Sequence, residues 1–237
     1  VATFLVPLMG SIYFGAMLIA LTLNFDQVFP AFKLILVDAF NGTAIAGGTF
    51  FGVLIYGVRR GAFSNEAGMG TESLVHGVAK VSDPVKQGLV AMTGPIFDTL
   101  IICTATALMI LISGVWETSA SQGVTLTAEA FSMLLGNFGG FILFICVICF
   151  GLSTIFTYSY YGASCSRFLF GKFGMKFYIY LYIFSIFIYS IVPIDIAINI
   201  ADGAFAMMAI PTLVSALWLA PKVMQASKNY FKLIDSY

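Results

Sequence analysis

The polar residues of this chain are distributed so unevenly that long stretches contain no Asp, Glu, Lys or Arg. A helix needs about 20 mainly apolar residues to cross the hydrocarbon core of a bilayer. Five stretches of this length contain no charge, and a sixth, residues 87–116, is interrupted only by Asp98. The pattern predicts six transmembrane helices in an all-α integral membrane protein. The five uninterrupted stretches are residues 2–24, 39–58, 130–166, 177–194 and 203–221.

The composition supports this class. Of the 237 residues, 60% are hydrophobic and only 9% are charged, whereas soluble domains have about 25% charged residues. The mean hydropathy is +0.99, which excludes an ordinary soluble globule. Eleven cations balance eleven anions, so nothing indicates a nucleic-acid partner; membrane lipid is the expected surrounding.

The Lys and Arg residues predict the orientation, because short cytoplasmic loops are enriched in them. Ten of the eleven cations fall on alternate loops, and only Lys33 falls on the others. We therefore expect a multi-pass protein of the cell membrane with a cytoplasmic C-terminal tail at 222–237. The same count places Arg59 and Arg60 in a cytoplasmic loop and Asp202, with Asn199, near the outer end of the last span. The chain begins at Val1 without a methionine, and we expect it to be part of a longer protein.

Residues 42–52 are unusually rich in glycine for a membrane helix, with Gly42, Gly47, Gly48 and Gly52 beside small polar residues. One interpretation is a small-residue packing face. The other is a discontinuous helix, whose freed backbone groups bind an ion or the charged ends of a substrate near the bilayer midplane.

Residues 59–73 read RRGAFSNEAGMGTES, a run too polar and glycine-rich to face lipid. We expect it at the cytoplasmic mouth, with Ser64 as a helix cap and Glu66 near the positive end of a short helix. The alternative is a solvated loop.

Two further features have competing interpretations. Asp98 is an acid well inside a predicted span, so it is a candidate proton or cation relay, but a hydrogen-bonded structural carboxylate fits equally well.

Ser153 and Thr154 form a hydroxyl pair on a predicted membrane helix. Hydroxyl oxygens suit sodium, although such pairs commonly bond to their own backbone or to a neighbouring helix.

Several strings resemble the alanine or glycine:cation symporter family, also called the sodium:alanine symporters. These are GAFSNEAGMGTES, KQGLVAMTGPIFDTLIICTATALMIL at 86–111, GLSTIFTYSYYGASC at 151–165 and ADGAFAMMAIP at 201–211. The resemblance implies the leucine-transporter fold, with two inverted five-helix repeats. This chain then corresponds to the second half of a single transmembrane domain. Residues 2–24 close the first repeat, and residues 39–221 form the second.

In that fold the opening helix of each repeat is unwound at its centre and holds the amino acid. The resemblance therefore implies a substrate site in the glycine-rich stretch and assigns sodium to Ser153 and Thr154. The remaining sodium ligands would come from the first broken helix, which precedes this chain. The expected substrate contacts are Thr43, Gly47, Gly48, Thr49 and Phe50.

The function implied is sodium-coupled symport of a small neutral amino acid, alanine or glycine, by alternating access. Such a protein is not an enzyme and needs no cofactor beyond sodium as coupling ion. The choices between alanine and glycine, and between sodium and proton coupling, stay open. Two alternatives are a membrane-embedded enzyme, for which the chain has no catalytic motif, and a non-transporting half-protein that packs against other membrane chains.

Overall fold

The computed structural model of the chain describes residues 2–40 and 49–235, and every regular element within those ranges is a helix. In chain order they are α1 (Ala2–Leu23), α2 (Phe25–Ala39), α3 (Thr49–Ser64), α4 (Thr71–His76), α5 (Pro84–Ala91), α6 (Thr93–Pro95), a π-helix (Ile96–Cys103), α7 (Thr104–Ser113), α8 (Val115–Thr118), α9 (Val124–Leu135), α10 (Asn137–Tyr189) and α11 (Ile194–Asp235).

Four segments in the described ranges are long and apolar enough to cross a membrane: Leu5–Leu23, Pro84–Ser113, Asn137–Tyr189 and Ile194–Ile234. Many of their large apolar side chains are exposed, among them Phe138, Phe168 and Trp218. In water such a surface would aggregate, whereas lipid solvates it. The all-helical membrane class is confirmed, and the count of six spans stays a prediction.

Helix α10 is too long for one crossing. Its 53 residues extend about 80 Å at 1.5 Å per residue, against a hydrocarbon core of about 30 Å. At Gly171 the backbone leaves the helical conformation, with φ 68° and ψ −156°. This break lies between the apolar stretches 130–166 and 177–194, so each side of it is long enough to cross the hydrocarbon core.

The element boundaries differ from the sequence prediction in three places. Residues 25–38 were expected as a loop because of their charges, but they lie in α2, which is Phe25–Ala39. The side chain of Asn24 donates to the carbonyl of Ala20 at 2.9 Å and so caps the end of α1 before α2 begins. The stretch 130–166 is divided at Gly136 between α9 and α10, and the predicted tail from residue 222 continues α11 as far as Asp235.

The chain divides into two compact units. The first consists of residues 1–57 and 97–160, and its core contains the fully buried Met17, Met109 and Phe131. Tyr13 stacks on Phe131 with ring centroids 5.4 Å apart, and its hydroxyl lies 2.9 Å from that of Thr106. Lipid tails are as apolar as these side chains, so close packing and hydrogen bonds, rather than escape from water, hold such a unit together.

An acidic side chain in the first unit lies outside the four apolar segments. The Ser121 hydroxyl donates to Glu129 Oε1 at 2.6 Å. Hydrogen bonds from Ser119 and Ser121 hold the pKa of Glu129 below its ordinary value because they stabilise the carboxylate. The start of α9 is therefore tied to the preceding turn by an ionised acid.

The second unit consists of residues 58–96 and 161–237. Its buried residues include Met69, Thr71 and Tyr161. Helix α5 begins at Pro84 behind Asp83, whose carboxylate accepts from the Val85 amide at 2.7 Å, a favourable start for a helix. The remaining polar features of this unit form the candidate site.

Candidate functional site

The predicted substrate contacts fall at the edge of the described chain. Thr43, Gly47 and Gly48 lie outside the described residues, and Thr49 is the first residue of α3, with its side chain also outside them. Phe50 is half-buried in the first unit, 6.0 Å from Phe40 between ring centroids. It lines a mainly apolar cavity of about 560 Å³.

The helical backbone is interrupted in the next polar run along the chain. Helix α3 ends at Ser64 and α4 begins at Thr71. Between them Glu66, Gly68 and Gly70 have φ of 53°, 78° and 84°, so the backbone leaves the helical path. We call residues 65–70 the helix break. Ser64 is the last residue of α3, so its prediction as a helix cap was wrong.

Side chains of the second unit hold the helix break in place. Glu66 adopts a left-handed conformation that costs energy for any residue except glycine, and its carboxylate accepts from the buried Tyr161 hydroxyl at 3.2 Å. Gly70 lies against α11: a Cβ built on it would be 2.9 Å from Thr212 Oγ1. Both contacts are made within one compact unit, so the break is part of its packing.

Thr71, the residue after the helix break, has an unusual hydroxyl. The residue is only 4% exposed, yet its Oγ1 has no hydrogen-bond partner among the described residues. A buried hydroxyl without a partner costs free energy. The break therefore places an unused polar oxygen in a protected position.

A cavity of about 460 Å³ lies beside the break, which we call the Asp202 cavity. Its wall is mainly small and apolar, with two aromatic rings, those of Phe63 and Phe205, in edge-to-face contact at 4.9 Å between centroids. Such a mixture of an apolar wall and a few polar groups is typical of small-molecule sites. The lining residues are Arg59, Ala62, Phe63, Ala67, Met69, Asn199, Asp202, Gly203, Phe205, Ala206 and Ala209.

Two of these lining residues, Arg59 and Asp202, belong to a cluster of three charges. Asp202 Oδ2 lies 3.5 Å from Arg60 Nη2 and 3.9 Å from Arg59 Nη1. The side chain of Asp202 is 17% exposed, that of Arg60 35% and that of Arg59 60%. The cluster therefore holds two guanidinium groups against one carboxylate.

The sequence placed these charges at opposite membrane faces, and the structure corrects that. Helix α3 continues to Ser64, so Arg59 and Arg60 lie within a helix rather than in a loop. Helix α11 begins at Ile194, so Asp202 lies about 12 Å along it at 1.5 Å per residue. A search for charge-free runs ends each span at a charge, and it therefore missed charges of opposite sign inside the helices that lie beside one another.

The predicted sodium residues lie in the first unit, on α10. Ser153 is buried, and its hydroxyl donates to the Phe150 carbonyl at 2.8 Å; Thr154 is half-buried. This is a bond to the helix's own backbone, which is the alternative to a sodium site for this pair. It uses the hydroxyl proton and leaves oxygen lone pairs as possible ligands, so both interpretations of the pair stay open.

Asp98 lies in the π-helix Ile96–Cys103 and is half-buried. A π-helical segment widens the turn, and such segments are frequent at functional sites. The Thr104 hydroxyl bonds to the Thr99 carbonyl five residues back at 3.4 Å. The sequence did not predict this irregularity, and the relay role of Asp98 stays a prediction. In the part of the chain that the structure describes, no three His, Cys, Asp or Glu residues form a metal cluster.

Four apolar helical segments long enough to span a bilayer place the described chain in the class of multi-pass membrane proteins. Residues 1–236 match the model of the Sodium:alanine symporter family. The chain belongs to this family, which confirms the resemblance noted in its sequence.

Individual relatives agree. The chain is 34% identical to an uncharacterized transporter of Haemophilus influenzae, over 96% of this chain and 51% of that protein. It is 35% identical to the sodium/alanine symporter AgcS of Methanococcus maripaludis, over 95% and 50%. It is 32% identical to the probable sodium/glutamine symporter GlnT of Bacillus subtilis, over 95% and 48%. The chain thus spans about half the length of these relatives, which are transporters and not enzymes.

Proposed function

We propose that the protein containing this chain carries a small neutral amino acid, alanine or glycine, into the cell together with sodium, by alternating access. Its family and its relatives support cation-coupled amino-acid symport. One relative is named for glutamine, so the choice of a small substrate is our own. We further propose that the chain forms the second half of an inverted-repeat bundle, with six spans and a cytoplasmic C-terminus.

The observation that carries the proposal is the helix break beside the Asp202 cavity. In transporters, discontinuous helices place freed backbone groups and charged ends at the substrate near the bilayer midplane. The break has residues in non-helical conformations, and the cavity beside it has a wall of small residues such as Ala62, Ala206 and Ala209. The break and its cavity are therefore a second candidate location for the substrate, besides the glycine-rich stretch 42–52.

The stretch 42–52 was the site expected from the sequence. Thr43, Gly47, Gly48, Thr49 and Phe50 remain predicted contacts. The two locations differ in chemistry. The Asp202 cavity has charged groups in its wall, whereas the glycine-rich stretch offers neutral backbone and hydroxyl groups.

For the coupling ion we propose Ser153 and Thr154 as two oxygen ligands, with others from the half of the protein that precedes this chain. Sodium is held by oxygen atoms that replace its hydration shell. If sodium binds only the conformation that is competent for substrate, each ligand raises the affinity of the other. No chemical step on the substrate is required.

The test is uptake by the full-length protein in liposomes. We expect radiolabelled alanine to accumulate under an inward sodium gradient and not when choline replaces sodium. Replacing both Ser153 and Thr154 with alanine should raise the sodium concentration for half-maximal uptake by about tenfold, because about 1.4 kcal/mol of ion binding corresponds to that factor.

The matched control is Ser185→Ala. Ser185 lies on the same helix and bonds in the same way to a carbonyl three residues back, that of Tyr182 at 2.7 Å. Its replacement should leave the sodium dependence unchanged. Uptake indifferent to sodium would refute the coupling. An unchanged sodium dependence in the double variant would remove the pair from the ion site.

A further inference from the structure

We propose that the hydrogen bond between Tyr161 and Glu66 is a latch, which holds the helix break in the conformation described above against strain within the break itself. Tyr161 and Glu66 are then positioning residues. Release of the latch lets the break rearrange and opens the wall of the Asp202 cavity, to which Ala67 and Met69 of the break contribute. The meaning of the latch for transport rests on the proposed function, but the latch itself is testable without transport.

The first source of strain is the backbone of Glu66. Its φ is 53°, and among the described residues it is the only residue other than glycine with a positive φ. This left-handed conformation brings Cβ too close to the following carbonyl oxygen. A residue with a side chain persists there only where its surroundings hold it, and such residues cluster at ligand clamps and switch regions. The backbone of Glu66 therefore favours a rearrangement that releases it.

A second cost lies directly after the break, at Thr71. The residue is 4% exposed, and its hydroxyl oxygen has no hydrogen-bond partner among the described residues. Such a group has lost its bonds to water without gaining others. The oxygen is already covered within this chain, so a further segment that packs on the outside does not reach it. A rearrangement of the break that gives this hydroxyl a partner would therefore lower the free energy.

One hydrogen bond opposes these two costs. The Tyr161 hydroxyl donates to Glu66 Oε2 at 3.2 Å, across 95 residues of sequence, and both residues lie in the second unit. Tyr161 is 7% exposed, so the donor itself is fixed by packing. The distance exceeds the 2.5–3.0 Å typical of O–H···O bonds, so the bond is weak enough to open. Strain on one side and a single weak bond on the other are the parts of a two-state element.

Met69 can report the state of the break. It lies within the break, is 7% exposed and lines the Asp202 cavity. Its amide donates to the Glu66 carbonyl at 3.3 Å, so a change in the backbone of Glu66 also moves Met69. A cysteine at this position is covered while the latch holds and becomes reactive when the break rearranges.

The experiment measures how fast a water-soluble maleimide labels Met69→Cys in the purified full-length protein, after the four native cysteines are replaced. The protein is in detergent, so the result does not depend on its orientation in a membrane. We expect Tyr161→Phe to raise the labelling rate about tenfold, the factor that corresponds to about 1.4 kcal/mol, because it removes the bond and keeps the ring. Glu66→Gln keeps an acceptor oxygen and should have a smaller effect. Tyr180→Phe, which removes a hydroxyl from the same helix, is the matched control and should leave the rate unchanged.

Two added substitutions distinguish a strained latch from ordinary packing. In the Tyr161→Phe background, Glu66→Gly removes the backbone strain, and Thr71→Val removes the buried hydroxyl at nearly constant size. Each should lower the labelling rate about fivefold, the factor for about 1 kcal/mol. If the break were held by packing alone, each further substitution would loosen it and raise the rate. Thr71→Val should also lower the rate when Tyr161 is intact, which decides the matter if Tyr161→Phe cannot be purified.

Labelling of Tyr161→Phe at the rate of the Met69→Cys protein would overturn the inference. So would a faster rate on adding either Glu66→Gly or Thr71→Val. Uptake of alanine by the same proteins in liposomes separates this inference from the proposed function. The expected labelling pattern without any alanine uptake would support the latch and refute the proposed function. Alanine uptake by a protein whose labelling does not respond to Tyr161→Phe would refute only the latch.

Discussion

Gly70 shows how much a single residue decides in this protein. Its φ of 84° is in a region that side chains rarely adopt, and it lies against Thr212 of α11. Gly68 has a similar φ of 78°, but a Cβ there would meet only Leu213 Cδ2 at 3.9 Å, an ordinary contact. The sequence showed that this run was rich in glycine. The sequence did not show which of these glycines also contacts a neighbouring helix.

We therefore expect Gly70→Ala to destabilise the protein more than Gly68→Ala. Both variants carry the cost of a left-handed alanine, about 1–2 kcal/mol. Only Gly70→Ala adds a steric cost, about 1–3 kcal/mol for an overpacked site. Thermal unfolding of the full-length protein in detergent measures the difference.

The double variant Gly70→Ala, Thr212→Ala tests the cause. Removing Oγ1 relieves the contact at 2.9 Å but not the backbone strain, so it should recover the steric part only. Equal unfolding temperatures for Gly70→Ala and Gly68→Ala would show that the contact with α11 adds no steric cost to the substitution.

At the scale of elements, charge-free runs located the centres of the long helices, because a span must avoid charge over about 20 residues. They did not locate breaks and ends. Helix α2 was missed because Asp26, Lys33 and Asp38 were taken to mark a loop. The π-helix around Asp98 was missed because it produces no change in hydrophobicity.

The break in helix α10 at Gly171 gives a prediction at the scale of a single helix. Its φ of 68° and ψ of −156° belong to a region that is essentially restricted to glycine. Gly171→Ala should cost about 1–3 kcal/mol, the usual strain of such a conformation. We expect a lower unfolding temperature and less folded protein in the membrane.

Gly151→Ala, earlier in the same helix, is the matched control. Nothing lies within 4 Å of a Cβ built there, and alanine is favoured over glycine inside a helix by about 0.5–1 kcal/mol. This variant should be as stable as the wild type or more so. Equal effects of the two substitutions would mean that α10 does not need its break.

At the scale of the whole molecule, the distribution of Lys and Arg makes the topology testable. Six spans with a cytoplasmic C-terminus place Lys172 and Lys228 on the inner side and Lys33 on the outer side. The four native cysteines, Cys103, Cys146, Cys149 and Cys165, are first replaced. Single cysteines at the three lysine positions then report on which side of the membrane each position lies.

We expect a membrane-impermeant maleimide to label Lys33→Cys in intact cells and to label Lys172→Cys and Lys228→Cys only after permeabilisation. The physical reason is the excess of cations in short cytoplasmic loops. Labelling of Lys228→Cys in intact cells would contradict both the orientation and the even number of spans. Retained alanine uptake by each variant serves as the folding control.

The sequence by itself determined the membrane class and the family, because apolar length, low charge and a few specific strings are properties of contiguous residues. The tertiary structure alone decided where a helix breaks and which charges meet. Arg60 and Asp202 are 142 residues apart in the chain, and the sequence analysis assigned them to opposite faces. Their pairing depends on how the last part of α3, from residue 58 on, packs with α11 within the second unit, and no run of neighbouring residues encodes that packing.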